Sequence, residues 1–295
     1  MIRFESFEDR KLAGAGTEIQ VQVGGSGPPL LLLHGHPQTH AIWQRVAAPL
    51  AERFTVVAAD LRGYGGSGRP PSDADHTPYS KRAMAADFPE VMRSLGFGRF
   101  RVMAHDRGAR VAHRLAADHG ACVERLVLLD IAPTLAMYEQ TSMAFATAYW
   151  HWFFLIQPAP FPETLIGADP AFYLRSLMGG RHAGLGPFTA EALAEYEANL
   201  RDPESLHAMC EDYRAAAGID LEHDRADRDA GRRLNMPLQV LWGDKGVIGR
   251  CFDPLAEWKR VAADVQGAAL PCGHYIAEEA PDALLAAAVP FLVAG

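Results

Sequence analysis

One aspartate, Asp106, stands where a predicted strand turns sharply into a predicted helix. Residues 102–104 are apolar, and a helical pattern of apolar residues begins at Ala109. The helix dipole and the neighbouring Arg107 favour the ionised carboxylate. Such a carboxylate can attack saturated carbon and form an ester that water then hydrolyses. An aspartate at this position can equally serve only as a helix N-cap, and this stretch alone leaves both roles open.

The residues around Asp106 fit the frame of a known catalytic turn. In the motif Gly-x-Ser-x-Gly, the central side chain stands on a strained turn between strand and helix. The frame here reads Ala104-His105-Asp106-Arg107-Gly108, with Asp in place of the nucleophilic Ser. Small residues at its ends let the strand and the helix approach each other closely, although Ala104 stands where the motif prefers Gly.

Two arginines, Arg107 and Arg110, follow the aspartate at a spacing of three, which puts both on one side of the first helical turn. Two guanidinium groups can hold a substrate carboxylate in a bidentate grip beside Asp106. The alternative is that they are exposed and pair with Asp118 or Asp60.

A histidine and two acids complete a possible catalytic set. His274 follows the last predicted strand, where the chain order nucleophile, acid, histidine places the general base. Asp130 and Asp244 each come directly after an apolar strand, and the sequence does not rank them as the acid that orients this base.

The segment His34-Gly35-His36-Pro37 follows the first parallel strand. Its backbone N–H at position 36 is a candidate for an oxyanion hole, which stabilises negative charge during ester hydrolysis. The competing interpretation takes His34, His36 and His40 as metal ligands, but no further carboxylate cluster completes a coordination set. We therefore expect no metal.

The elements that must position these residues alternate strand and helix over the first part of the chain. The predicted strands are 17–24, 30–33, 55–59, the run before Asp106, 126–129, 238–242 and 266–270, and the predicted helices are 39–53, 79–95, 253–262 and one beginning at Pro281. This alternation predicts a mostly parallel sheet flanked by helices. Residues 134–230 are rich in aromatic residues and are predicted to be helical. We expect an inserted cap at 134–230 between two parts of one α/β core, 1–133 and 231–295.

Composition excludes several function classes. The chain has 295 residues, a net charge of −8 and 49% hydrophobic residues, so it can bury a full core but offers no basic face to nucleic acid. The four scattered cysteines indicate neither a disulfide framework nor a zinc site. No apolar signal core or membrane span is evident, which predicts a soluble cytoplasmic protein. The glycines of Gly63-Tyr64-Gly65-Gly66-Ser67-Gly68 match a dinucleotide motif formally, but no helix follows them.

The chain resembles the fluoroacetate dehalogenases of the α/β-hydrolase superfamily over essentially its whole length. The resemblance is carried by Asp106 within HDRGAR and by HWFFLIQP (151–158), EDYRA (211–215) and CGHYIAEEAP (272–281). Arg107 is the specific part, because related haloalkane dehalogenases and epoxide hydrolases usually carry an apolar or aromatic residue there. The family usually has Phe where His36 stands.

The resemblance implies a role for each matching residue. Asp106 would be the nucleophile, His274 the base and Asp130 the orienting acid, which decides for Asp130 over Asp244. Arg107 and Arg110 match the carboxylate-binding pair, and the halide-binding set matches His151, Trp152 and Tyr213. The backbone N–H groups of His36 and Arg107 would form the oxyanion hole.

The expected activity is hydrolysis of haloacetates, such as fluoroacetate to glycolate and fluoride, through an ester of Asp106. No metal or organic cofactor is implied, and a homodimer is expected from the resemblance. An epoxide hydrolase uses the same Asp-His-acid set but needs two cap tyrosines, for which Tyr149 and Tyr213 are candidates. That alternative leaves the two arginines without a role. A receptor that binds a small molecule without turnover is disfavoured by the complete catalytic set.

Overall fold

The centre of the molecule is an eight-stranded sheet, seen in a computed structural model that describes residues 1–294. The strands are β1 Glu8–Ala13, β2 Glu18–Gly24, β3 Pro29–Leu33, β4 Thr55–Ala59, β5 Phe100–His105, β6 Val123–Leu129, β7 Leu238–Gly243 and β8 Val265–Leu270. Their order across the sheet is β1-β2-β4-β3-β5-β6-β7-β8. β2 runs antiparallel to both β1 and β4, and every other pairing is parallel.

The helices fall into three groups along the chain. In the first part they are α1 Ala47–Ala51, α2 Lys81–Ser94 and α3 Asp106–Asp118. Between β6 and β7 they are α4 Thr134–Glu139, α5 Met143–Ala148, α6 Trp150–Leu155, α7 Phe161–Ala168, α8 Pro170–Gly179, α9 Ala190–Arg201, α10 Pro203–Ala217 and α11 Ile219–Asp229. The last part has α12 Ile248–Cys251, α13 Pro254–Val261, α14 Ile276–Glu279 and α15 Pro281–Val293. Short 3₁₀ turns occupy His40–Trp43, Thr77–Tyr79 and Gly120–Cys122.

The sheet is buried on both faces because its central strands are apolar at consecutive positions. In β3, Leu31 and Leu33 pack into one hydrophobic cluster while Leu30 and Leu32 pack into the other. Successive side chains of a strand point to opposite faces, so a continuous apolar run is what a strand covered on both sides requires. Full burial of each leucine stabilises the fold by roughly 1.5–3 kcal/mol.

The carboxyl ends of the parallel strands meet at one edge of the sheet. β3 leads into His34, β5 into Asp106 and β6 into Asp130, while His274 follows shortly after β8. In open α/β sheets, ligands bind outside this edge. The topology therefore brings together residues that are far apart in the chain.

The structure confirms the α/β fold, and it differs from the predicted elements at residues 39–53, at β1 and at the short helices α12 and α14, which were not predicted. The predicted helix 39–53 is a 3₁₀ turn, His40–Trp43, and a separate short helix α1. The edge strand β1 was not predicted, because five of its six residues are exposed and it lacks apolar alternation. Among residues 1–294, no helix is long and apolar enough to cross a membrane.

Candidate active site

Asp106 lies on a strained turn between β5 and α3. Its φ is +47°, in the left-handed region that non-glycine residues rarely adopt. A Cβ on Gly35 would lie 2.4 Å from the Cβ of Asp106, and a Cβ on Gly108 would lie 2.3 Å from the His34 carbonyl oxygen. The packing around the turn therefore requires glycine at both positions. This strained geometry favours the nucleophile interpretation over a simple N-cap, for which no strain is needed.

The two oxygens of the Asp106 carboxylate have different neighbours. Oδ1 accepts a hydrogen bond of 3.0 Å from the backbone N–H of His36. Oδ2 lies 3.9 Å from Nε2 of His274, too far for a direct hydrogen bond. Burial acts to raise the pKa of this carboxyl, but the charges of His274, Arg110 and Arg107 outweigh it and hold the pKa well below its usual range. The carboxylate is therefore ionised.

His274 is oriented by Asp130. Its Nδ1 donates a hydrogen bond of 2.6 Å to Oδ2 of Asp130, which leaves Nε2 facing Asp106. The backbone N–H of Gly243 donates to the other oxygen of Asp130 at 3.0 Å. Asp244, which the motifs alone did not exclude, is exposed and pairs with Lys245 instead. The geometry thus places Asp130 at the histidine.

Arg107 is fully buried, and its partner is an aspartate that the sequence did not suggest. Its Nε donates to Oδ2 of Asp212 and its Nη2 to Oδ1, both at 2.9 Å. Asp212 also accepts from Lys81. The remaining Nη1 of Arg107 is buried without a hydrogen-bond partner in the protein.

The expected alternative partners of the two arginines were wrong. Asp118 is bound by Arg82 and by Arg114, one turn further along α3. Asp60 is bound by His40 at 2.7 Å. Neither arginine of the site is exposed, so the interpretation as solvated surface residues is also wrong.

Arg110 is buried without any carboxylate hydrogen-bonded to it. Its Nη1 donates to the hydroxyl of Thr134 at 2.9 Å and to the carbonyl of Ala132 at 3.3 Å. The guanidinium carbon lies 4.5 Å from the ring centroid of Trp152, and Nε has no partner in the protein. Burial and the neighbouring Arg107 lower its pKa. A buried cation with free N–H groups is suited to an anionic ligand.

The three residues of the expected halide pocket also converge at this place. His151 and Trp152 come from α6, and Tyr213 comes from α10 with its ring 6.0 Å from that of His151. The guanidinium carbon of Arg107 lies 4.0 Å from the Tyr213 ring centroid. Each of the three has a buried polar atom without a partner in the protein, namely His151 Nδ1, Trp152 Nε1 and Tyr213 Oη. Unpartnered buried donors are costly, so their clustering indicates a ligand site.

The histidines after β3 make contacts that do not resemble a metal site. His34 Nε2 accepts from the backbone N–H of Leu61 at 3.0 Å, and His40 donates to Asp60. Burial lowers the pKa of His36 to about 3, so its ring is neutral and does not add a titration near neutral pH. Within residues 1–294, no group of three or more candidate ligands is arranged to hold a metal ion.

Comparison with known proteins places this chain in a family. A family model described as the α/β hydrolase fold matches residues 28–281. The chain belongs to the α/β-hydrolase family. A fluoroacetate dehalogenase from Burkholderia sp is 48% identical over 280 residues, which is 95% of this chain and 91% of that protein. The resemblance inferred from the motifs is therefore confirmed, and the chain is an enzyme of the hydrolase class.

Two further relatives of this α/β hydrolase are an epoxide hydrolase and a protein of solved structure. A soluble epoxide hydrolase from Corynebacterium sp. (strain C12) is 34% identical, with 94% of each chain covered. A solved α/β-hydrolase structure from Nostoc sp PCC 7120 is 53% identical, with a TM-score of 0.96, and covers 99% of this chain and 100% of that chain.

Sequence reasoning on this hydrolase missed residues whose partners are distant in the chain. Asp212 immediately precedes Tyr213 within the quoted EDYRA motif, yet nothing local shows that it meets Arg107. Tyr173 was missed as well, and its hydroxyl lies 3.2 Å from Nε2 of His36. A charged residue beside a predicted pocket residue on one helix was the one available signal for Asp212.

Proposed function

We propose that this enzyme hydrolyses haloacetates, with fluoroacetate and water giving glycolate, fluoride and a proton. The observation that carries the proposal is Arg110, a buried guanidinium beside Asp106 that has no carboxylate of its own. A substrate carboxylate held by Arg110 and by the free Nη1 of Arg107 would compensate this charge. Such a grip would set the neighbouring α-carbon close to Asp106. The Burkholderia relative supports the same substrate class.

In the first step, Asp106 attacks the α-carbon and the halide leaves with the bonding electrons. The attacking oxygen is Oδ2, because Oδ1 is held by the N–H of His36. The product of this step is a glycolyl ester of Asp106. N–H and O–H groups of His151, Trp152 and Tyr213 donate hydrogen bonds to the departing halide. Fluoride is a strong hydrogen-bond acceptor.

In the second step, water attacks the carbonyl carbon of the Asp106 ester. Nε2 of His274 takes the proton from this water, and Asp130 stabilises the imidazolium that forms. The negative charge develops on Oδ1, which already accepts from the His36 N–H. The N–H of Arg107 lies in the first turn of α3, where backbone donors lack intrahelical partners, and is the second donor. Collapse breaks the bond to the glycolate oxygen, which takes the proton back from His274, and the new Asp106 carboxyl releases the second water proton to restore the carboxylate.

Epoxide hydrolysis is the second candidate, because one specific observation favours it. The hydroxyls of Tyr149 and Tyr213 are both buried without partners in the protein, and two tyrosines are what protonation of an epoxide oxygen requires. Burial raises the pKa of both phenols, so they are protonated donors. A neutral epoxide would nevertheless leave the charge of Arg110 uncompensated, which is why we place this activity second.

The test is free fluoride released from fluoroacetate by the purified enzyme, with chloride from chloroacetate and diol from styrene oxide measured in parallel. We expect fluoride release that is abolished in Asp106→Asn. Chloride without fluoride would keep the mechanism and change the preferred halogen, which the sequence does not determine. Diol without either halide would overturn the proposal in favour of epoxide hydrolysis.

The organisation of the enzyme is proposed on the same basis. We take 134–230 as a cap inserted between core segments 1–133 and 231–295, because α4 to α11 follow one another there without a strand. The cap supplies His151, Trp152, Asp212 and Tyr213 to a core that supplies the nucleophile and base. A homodimer and a cytoplasmic location stay predictions.

A further inference from the structure

The side chain of His36 lies beside the proposed halide pocket, although only its backbone N–H has a role so far. Its ring centroid is 5.2 Å from that of Tyr213, with the two rings nearly perpendicular at 82°. The ring is also nearly parallel to that of His151, at 10° and 6.4 Å. His36 is 4% exposed, so this imidazole is part of the enclosed site.

The two ring nitrogens of His36 differ in their partners. Nε2 lies 3.2 Å from the hydroxyl of Tyr173, and that hydroxyl has no other hydrogen-bond partner among residues 1–294. Nδ1 is buried and has no partner in the protein. The ring is neutral because burial lowers its pKa to about 3, so it carries one proton that must lie on one of these nitrogens.

Counting unsatisfied groups assigns that proton. If Nε2 carried it and donated to Tyr173, the buried tyrosine hydroxyl proton and the Nδ1 lone pair would both lack partners. If Tyr173 donates to Nε2, the N–H at Nδ1 is the one group left over. Each unsatisfied buried group is destabilising, so the second arrangement, which leaves one such group instead of two, is favoured. The unpaired N–H then belongs to a ring that is adjacent to both Tyr213 and His151, and those two rings lie 6.0 Å from each other.

We propose that the Nδ1–H of His36 is a further hydrogen-bond donor to the halogen of the substrate, and that Tyr173 is the positioning residue that fixes this tautomer. This inference rests on the proposed haloacetate activity. Its consequence is specificity for the halogen. Fluorine on carbon and departing fluoride accept hydrogen bonds better than bromine and bromide, so the added donor favours fluoroacetate over bromoacetate.

The kinetic test compares His36→Phe with the wild type on both substrates. Phe keeps the aromatic ring and the backbone N–H that serves Asp106, and both substrates form the same glycolyl ester. We expect the ratio of kcat/KM for fluoroacetate to that for bromoacetate to fall roughly tenfold, which is the size of the net contribution of one hydrogen bond. Tyr173→Phe should lower the ratio by a smaller factor, because both tautomers become accessible. An unchanged ratio in His36→Phe would overturn the inference.

A spectroscopic test separates this inference from the proposed function. In ¹⁵N-histidine-labelled enzyme, the His36 signals, identified by their loss in His36→Phe, should show a protonated Nδ1 and an unprotonated Nε2. Titration with sodium fluoride should shift the Nδ1 signal. A protonated Nε2 would overturn the inference while leaving dehalogenation intact. If the enzyme releases no halide from any haloacetate, the proposed function is wrong. In that case the halogen is not the ligand of this N–H, even if Nδ1 is found to be protonated.

Discussion

Replacing each of the two arginines of α3 by methionine should affect the stability of the enzyme differently. Both are buried and lie one helical turn apart, and Met is similar in length but carries no charge. Arg107 is paired with Asp212 through two hydrogen bonds of 2.9 Å. Arg110 has no such pair. The two substitutions therefore distinguish Arg107, which belongs to a structural ion pair, from Arg110, which we assign to a ligand.

The magnitudes follow from the contacts that each substitution removes. Arg107→Met takes two charge-assisted hydrogen bonds from a buried carboxylate that retains only Lys81 and the Tyr64 hydroxyl. Loss of one partner of a buried pair costs about 3–5 kcal/mol of unfolding free energy. Arg110→Met loses the Thr134 hydrogen bond, the Trp152 ring contact and the attraction of Asp106, worth roughly 3–4 kcal/mol together. It also ends the burial of an unpaired cation, which costs several kcal/mol. We expect a net change within about 1 kcal/mol.

The assay is urea unfolding of both variants, with steady-state kinetics on chloroacetate. Both variants should lose activity, but only Arg107→Met should lose stability. Glycolate, the product carboxylate, should raise the unfolding midpoint of the wild type and not that of Arg110→Met. If Arg110→Met is destabilised as much as Arg107→Met, then Arg110 is structurally paired, and the reasoning that assigns it to a ligand is refuted.

Three further predictions concern residues around the site. Burial raises the pKa of the Glu278 carboxyl from 4.5 to about 8, so the folded state binds the carboxyl proton more tightly than the unfolded state does. The free energy of unfolding should therefore fall as the pH rises between these two values. Urea unfolding at several pH values should show a weaker pH dependence for Glu278→Gln. Gly35→Ala should reduce turnover more than about 100-fold, because the added Cβ displaces the nucleophile. Gly98→Ala is the matched control. It should leave turnover unchanged, because a Cβ at Gly98 would have no atom within 4 Å. Asp130→Asn should slow ester hydrolysis by about 10³-fold or more and give a burst of one halide per enzyme, whereas Asp244→Asn should behave as the wild type. Equal effects within either of the last two pairs would contradict the proposed geometry.

The central part of the fold follows from the sequence because its signals are local. Continuous apolar runs such as 30–33 and 126–129 predict buried parallel strands, and the structure has strands at both places. Strand β1 gives no such signal, since it is an exposed edge held by pairing with β2. The helix predicted at 39–53 breaks because the chain forms a 3₁₀ turn at His40–Trp43 before α1 begins.

The sequence predicts which residues form the site, but it does not predict which of them contact each other. Asp106, His274 and the two arginines follow from their positions after strands and within one helical turn. The choice of Asp130 over Asp244 needed the family resemblance, because both acids end an apolar strand. Asp212 reaches Arg107 from 105 positions away, and only the packing of α10 against the core makes this contact. Local sequence patterns do not show that these two side chains contact each other.

The measurement that tests the central claim most directly is a single turnover of chloroacetate in ¹⁸O-labelled water, with enzyme in excess. If Asp106 forms the ester, the glycolate takes its new oxygen from the carboxylate and is unlabelled. Mass spectrometry of the digested enzyme should then find one ¹⁸O atom on the peptide that contains Asp106. Label in the glycolate and none in that peptide would show direct attack by water on the α-carbon and would contradict the covalent mechanism.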